Sequence, residues 1–128
     1  MAATEKLIAA VPPSAYAQPG IAPGQRWSAS FNASCWVRCR SAGGSQVRLV
    51  LRARDGSGKQ RDFEVDRASC AREGTMLLSA LTEVSVTGRV EEMTVWLVAE
   101  PAAELSVDEL FVQRAGVAAT SRPVISSR

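Results

Sequence analysis

From Trp27 to Cys39 every odd position is apolar: Trp27, Ala29, Phe31, Ala33, Cys35, Val37 and Cys39. The even positions between them are mostly polar, Ser28, Ser30, Asn32, Ser34 and Arg38, with Trp36 the exception. A period of two over this length predicts a long strand with one face buried. Ala42-Gly43-Gly44-Ser45 then breaks the chain. A second strand follows, with Val47, Leu49, Leu51 and Ala53 inward and Arg48, Arg52 and Arg54 outward. Asp55-Gly56-Ser57-Gly58 is turn chemistry of the hairpin kind. A third alternating strand covers Asp62 to Asp66, and 67–74 reads as a loop.

Met76 to Leu81 is apolar without a clean period. It is read as strand because its surroundings are β, although the residues alone also allow a helix. Val84 and Val86 continue the sheet, and Met93, Val95, Leu97 and Ala99 form another alternating strand that Pro101 ends. Leu105 to Val112 is the last. The fold class is therefore all-β, an antiparallel, jelly-roll-like β-sandwich over residues 25–112. Residues 1–24 hold four of the six prolines, Pro12, Pro13, Pro19 and Pro23, and are expected as an extended arm. A short helix over 4–10 is an alternative within that arm, with Thr4 as its cap. Residues 113–128 are expected as a short tail.

The 128 residues fit one domain, and 46% hydrophobic with 22% charged content is ordinary globular usage. The chain contains no histidine. That excludes Ser-His-Asp and Cys-His catalysis, His-ligated zinc or haem, and a histidine pH switch. No signal peptide or membrane span is read from the pattern, so synthesis in the cytoplasm is expected. Of the three cysteines, Cys35 and Cys39 would lie about 13 Å apart on one strand, too far for a disulfide. Cys39 with Cys70 stays open, and buried free thiols are the expectation.

Three motifs occur in order. Pro23-Gly24-Gln25-Arg26-Trp27-Ser28-Ala29-Ser30 resembles the opening of the central strand of galactose-binding-like, carbohydrate-binding-module jelly rolls. Leu49-Val50-Leu51 with Asp55-Gly56-Ser57-Gly58 resembles their hairpin, and Val107-Asp108-Glu109-Leu110-Phe111-Val112 their closing strand. The resemblance covers about residues 23–112 and implies the sandwich fold. It departs from the family at the N-terminus, where several strands, one of them a partner of the closing strand, normally precede the first motif. A reduced sandwich, or one completed by a neighbour, is expected.

Each chemistry candidate has a plainer reading beside it. Trp36 and Trp96 fall out of phase with the core stripe, so they are candidates for stacking on sugar rings or for an interface. Asp62, Glu64 and Asp66 form a carboxylate row that could reach calcium. Their spacing of nearly 7 Å favours a solvated face paired with Arg48, Arg52 or Arg54. Asp108 with Glu92 is an acid/base pair that nothing in the sequence brings together.

The net charge is +2. It hides seven bases against one acid over 38–61, and seven acids against one base over 83–109. Either these segments neighbour each other and neutralise, or they make a dipolar surface for assembly.

The functional expectation is a non-enzymatic assembly protein without a cofactor, in the manner of a tailed-phage head-decoration subunit. It would be a homo-oligomer, with a trimer as the working assumption. The arm, through Pro12, Pro13, Tyr16, Pro19 and Pro23, would staple a protein lattice such as a major capsid protein. Location in a virion is expected, otherwise the cytoplasm. Nucleic acid is not an expected partner, because the basic segment lacks interleaved aromatics other than Trp36. The competing function is a carbohydrate-binding module using Trp36 and Trp96, on a surface glycan.

Overall fold

A computed structural model of the chain describes residues 3–17, 22, 24–115 and 125–127. The strands are β1 (Thr4–Ala10), β2 (Arg26–Arg40), β3 (Ser45–Asp55), β4 (Gln60–Cys70), β5 (Glu73–Thr87), β6 (Val90–Glu100), β7 (Glu104–Arg114) and β8 (Ile125–Ser127). A single 3-10 turn, Pro13–Ala15, follows β1. The strands form two antiparallel four-stranded sheets, the first ordered β1-β6-β3-β4 and the second β5-β2-β7-β8. This is the β-sandwich expected from the period of two. No helix among the described residues is long and apolar enough to cross a membrane.

The alternating residues meet between the sheets. Trp27, Phe31, Val37 and Leu78 from the second sheet are buried with Leu49, Leu51, Met93 and Leu97 from the first. Burial of this apolar area is the main term holding the layers together. The two open sides of the sandwich are closed by polar contacts instead. On one side Lys6 Nζ of edge strand β1 donates to the Leu105 carbonyl at 2.8 Å. Beside it Thr4 Oγ1 exchanges two hydrogen bonds with the Ala103 backbone, both at 3.1 Å. On the other side Asp66 Oδ2 of edge strand β4 accepts from the Ser79 N–H of edge strand β5 at 2.9 Å. An edge N–H satisfied this way is closed to a foreign strand.

Three expectations change. Residues 4–10, expected within an extended arm with a helix as the alternative, are a regular strand: they pair with β6 over Thr4↔Ala99 to Ala10↔Thr94. The sheet ladder and the packing of Ile8 and Ala9 on the core outweigh local helix propensity. Residues 67–74 are not a loop. β4 runs to Cys70 and β5 starts at Glu73, leaving a two-residue turn. A bulge explains the misreading: Leu49 faces Asp66 but Val50 faces Glu64, so Val65 is an extra residue that breaks the alternation. Finally, β7 extends to Arg114, and Ile125–Ser127 of the expected tail pairs with residues 110–112. That short strand occupies part of the β7 edge, whereas the family's partner of its closing strand precedes the first motif. Met76 to Leu81 is strand, as read.

Candidate functional site

Trp36 and Trp96 do not come together. β2 carries Trp36 on the outer face of the second sheet, because its neighbours Cys35 and Val37 point inward. β6 carries Trp96 on the outer face of the first sheet, between buried Val95 and Leu97. The two indoles therefore lie on opposite outer faces of the sandwich and cannot serve one ligand.

Their surroundings differ as well. The Arg52 guanidinium sits over the Trp96 ring, 4.3 Å from its centroid, and is itself held by Asp62 at 2.8 Å and Glu5 at 3.2 Å. Trp96 Nε1 donates to Thr94 Oγ1 at 2.9 Å. Both the ring face and the polar edge of Trp96 are thus engaged within the chain.

Trp36 is 43% exposed and stands directly opposite Leu77 of β5, which is 47% exposed. Four residues further along β5, Leu81 is 63% exposed opposite Asn32. Half-buried Phe111 of β7 lies on the same face, opposite Ser34. Ser34 and Ser79 share a hydrogen bond of 2.8 Å in the middle. The result is an apolar patch across three adjacent strands, rimmed by the Arg38–Asp108 ion pair at 3.0 Å. The sequence carried a signal for it. An apolar run without a period, inside a chain that otherwise alternates, is a strand with apolar residues on both faces: Leu78 inward, Leu77 and Leu81 outward.

The carboxylates are held by arginines rather than gathered. Asp62 binds Arg52, and Glu64 binds Arg67 at 2.6 Å and Arg48 at 3.6 Å. Its Arg67 hydrogen bond holds the Glu64 carboxyl below the usual range. The bulge at Val65 takes Asp66 out of the row, toward Ser79. Among the described residues no three Cys, Asp or Glu side chains are placed to hold a metal ion. Asp108 and Glu92 lie on different sheets, each with its own arginine, Arg38 and Arg54. The basic and acidic segments are neighbours: β3 lies beside β6 and β2 beside β7, and Arg54–Glu92 and Arg38–Asp108 join them.

The expected arm is partly absorbed by the body. Tyr16 is 7% exposed and belongs to the core with Val11 and Ala15. Burial, with Glu92 and Glu91 nearby, raises its hydroxyl pKa. Pro12 is half-buried and Pro13 exposed at the 3-10 turn. Pro19 and Pro23 lie outside the described residues. Cys35, Cys39 and Cys70 are buried free thiols, and Cys70 Sγ lies 3.5 Å from the Cys39 carbonyl.

No protein-family model, curated protein or solved structure matches this chain.

Proposed function

We propose that the chain is a non-enzymatic assembly protein that associates with copies of itself and with a protein lattice through the outer face of its second sheet. The observation that carries this reading is the patch of Trp36, Leu77 and Leu81, backed by Phe111. Large apolar side chains grouped on one sheet face lower the free energy when another surface removes them from water. An indole beside two leucines is also the composition of an interface hot spot. The most concrete form of the role is a decoration subunit on a virion, seated on a lattice of major capsid protein. Residues 4–16 are engaged by their own sandwich, so the contact surface is placed on β2 and β5 rather than on the arm.

Sedimentation of the full chain tests this. A concentration-dependent oligomer is expected, and Leu77→Asp with Leu81→Asp should leave a folded monomer. A chain that stays monomeric up to high concentration overturns the self-association. The second reading is glycan binding on Trp36, favoured by its exposed ring beside the polar groups of Arg38 and Asp108. A monomer that binds a glycan array and loses that binding in Trp36→Ala would replace the assembly reading.

A further inference from the structure

The sandwich has a second feature at the end of its strands, away from the patch. The β3–β4 turn and the β5–β6 turn stand side by side, tied by the Gly56 N–H donating to the Arg89 carbonyl at 3.2 Å. The Gly88 N–H donates to the Gln25 carbonyl at 2.6 Å and fixes the second turn to the start of β2. Between the turns lies a cleft of about 690 Å3, lined by Asp55, Ser57, Lys59, Arg61, Arg89 and Glu91 among others. Gly24, Gly58 and Gly88 have positive φ here, and a Cβ at any of them would meet nothing within 4 Å. The lining therefore combines side-chain-free backbone at these glycines with the cations Lys59, Arg61 and Arg89.

Three cations line this cleft without an ion-pair partner among the described residues. On the outer faces Arg38, Arg40, Arg48, Arg52, Arg54 and Arg67 each have a carboxylate within 4 Å. Lys59, Arg61 and Arg89 have none among the described residues, and Arg26, opposite Thr87 in the ladder, has none either. Two carboxylates line the cleft. Asp55 is spent on its own turn: its Oδ1 accepts from Ser57 Oγ at 2.6 Å, Ser57 N–H at 2.9 Å and Lys59 N–H at 3.0 Å. Glu91 reaches toward Gly56 and has no cation within 4 Å among the described residues, so it leaves one negative charge against the three cations of the cleft.

We infer that this cleft binds a phosphate or sulfate oxyanion, free or carried as an ester on a larger ligand. Guanidinium forks match such oxyanions two bonds at a time, and Lys59 adds a mobile point charge. Among the described residues no aromatic ring lines the cleft to stack a base or a bare sugar face, so the oxyanion is the recognised group.

The test uses the full chain and amide NMR at matched ionic strength, with sodium chloride as reference. Inorganic phosphate, inorganic sulfate and a sulfated oligosaccharide are titrated separately. Saturable shifts at Gly56, Gly58 and Gly88 are expected with at least one probe. Saturation by inorganic anions identifies a free ligand, and saturation by the oligosaccharide alone identifies a carried one. Arg61→Ser and Arg89→Ser should each weaken binding about tenfold. Arg72→Ser, an unpaired arginine at the opposite end, should leave it unchanged. Absence of saturation with all three probes overturns the inference. So does an equal loss in Arg72→Ser, which reports general charge. None of these readouts depends on self-association, so the cleft and the sheet face are judged separately.

Discussion

The guanidinium of Arg52 lies 4.3 Å above the centre of the Trp96 ring while its nitrogens bind Asp62 and Glu5. One side chain thereby joins β3 to β4, to β6 and to edge strand β1 on a single outer face. Its side chain is only 15% exposed, so the contacts are partly shielded from solvent. Arg52→Ala should destabilise the fold by about 1–2 kcal/mol, from the lost cation–π contact and ion pairs. Arg52→Lys should recover only part, because an ammonium cannot bind Asp62 through two nitrogens and cover the ring together. Urea unfolding measures both, and Trp96 fluorescence should shift to the red in Arg52→Ala as water reaches the ring. Equal midpoints for all three proteins would show that the cluster is ornamental to stability.

Asp66 closes the edge between β4 and β5. Oδ2 accepts from the Ser79 N–H and Oδ1 from the Arg67 N–H at 2.8 Å. Asp66→Ala frees the Ser79 N–H on a fifteen-residue edge strand that already displays Leu77 and Leu81. Hydrogen exchange at Ser79 should quicken about fivefold, for a loss of about 1 kcal/mol locally. Aggregation on concentration should also rise, as expected of an uncapped edge. Asp66→Asn keeps an acceptor and should stay near the parent in both measurements.

The layers of this fold were legible because β2, β3 and β6 each turn an unbroken apolar face to the core and carry mostly polar groups on the other, with Trp36, Val50, Trp96 and Val98 as exceptions. Trp27 to Cys39 and Met93 to Ala99 alternate for that reason. What escaped the pattern has local causes. Val65 is one residue too many for its partner strand, so the alternation slips and 67–70 ceased to look like strand. Thr4 to Lys6 lie at an edge, where Lys6 reaches across to a carbonyl of the other sheet, and nothing in their polarity marks them as sheet. The patch was half visible. Trp36 was out of phase, but its partners Leu77 and Leu81 are fixed by register, which only pairing of β2 with β5 supplies. The cationic cleft was hidden by the abundance of arginine. Which cations lack a carboxylate depends on distances across strands, not on counts along the chain.

A small buried hydroxyl chain fixes the opposite end. Ser45 Oγ donates to the Pro101 carbonyl at 2.7 Å and stands 2.7 Å from Ser41 Oγ. With its proton committed to Pro101, Ser45 accepts from Ser41. Ser45→Ala removes the acceptor of one buried hydroxyl and the donor to one carbonyl, for an expected cost of about 1–3 kcal/mol. Ser41→Ala removes only a donor and should cost less. The order of the two urea midpoints checks the direction of the chain, and a reversed order would contradict it.

The thiols make stability depend on alkaline pH. Burial, aided by Asp108, pushes the Cys35 thiol up to about 12 from an ordinary 9.0. Burial and the neighbouring Cys70 do the same for Cys39, also to about 12. In the unfolded chain both thiols ionise near 9, while in the folded chain they keep their protons until about 12. Between those values the unfolded state binds fewer protons, so stability falls as pH rises. The slope is at most about 1.4 kcal/mol per pH unit for each thiol. Well below pH 9, where both states keep the protons, the thiols contribute no slope. Urea midpoints should therefore be level to about pH 8, begin to fall as pH approaches 9 and decline at nearly full slope above it. Tyr16, raised by burial, adds a decline above 10 in the same direction. Cys35→Ala and Cys39→Ala isolate the thiol part, since Tyr16 is common to all three proteins: each should flatten the curve between about pH 8 and 10, whatever its effect on the midpoint at pH 7. Iodoacetamide at pH 8 gives an independent reading. In the folded protein Cys35 and Cys39 should label slowly, because thiolate is about one part in ten thousand at a pKa near 12, and both should label quickly in urea. Parallel pH curves for the variants and the parent, with fast labelling of folded protein, would place these thiols in contact with water.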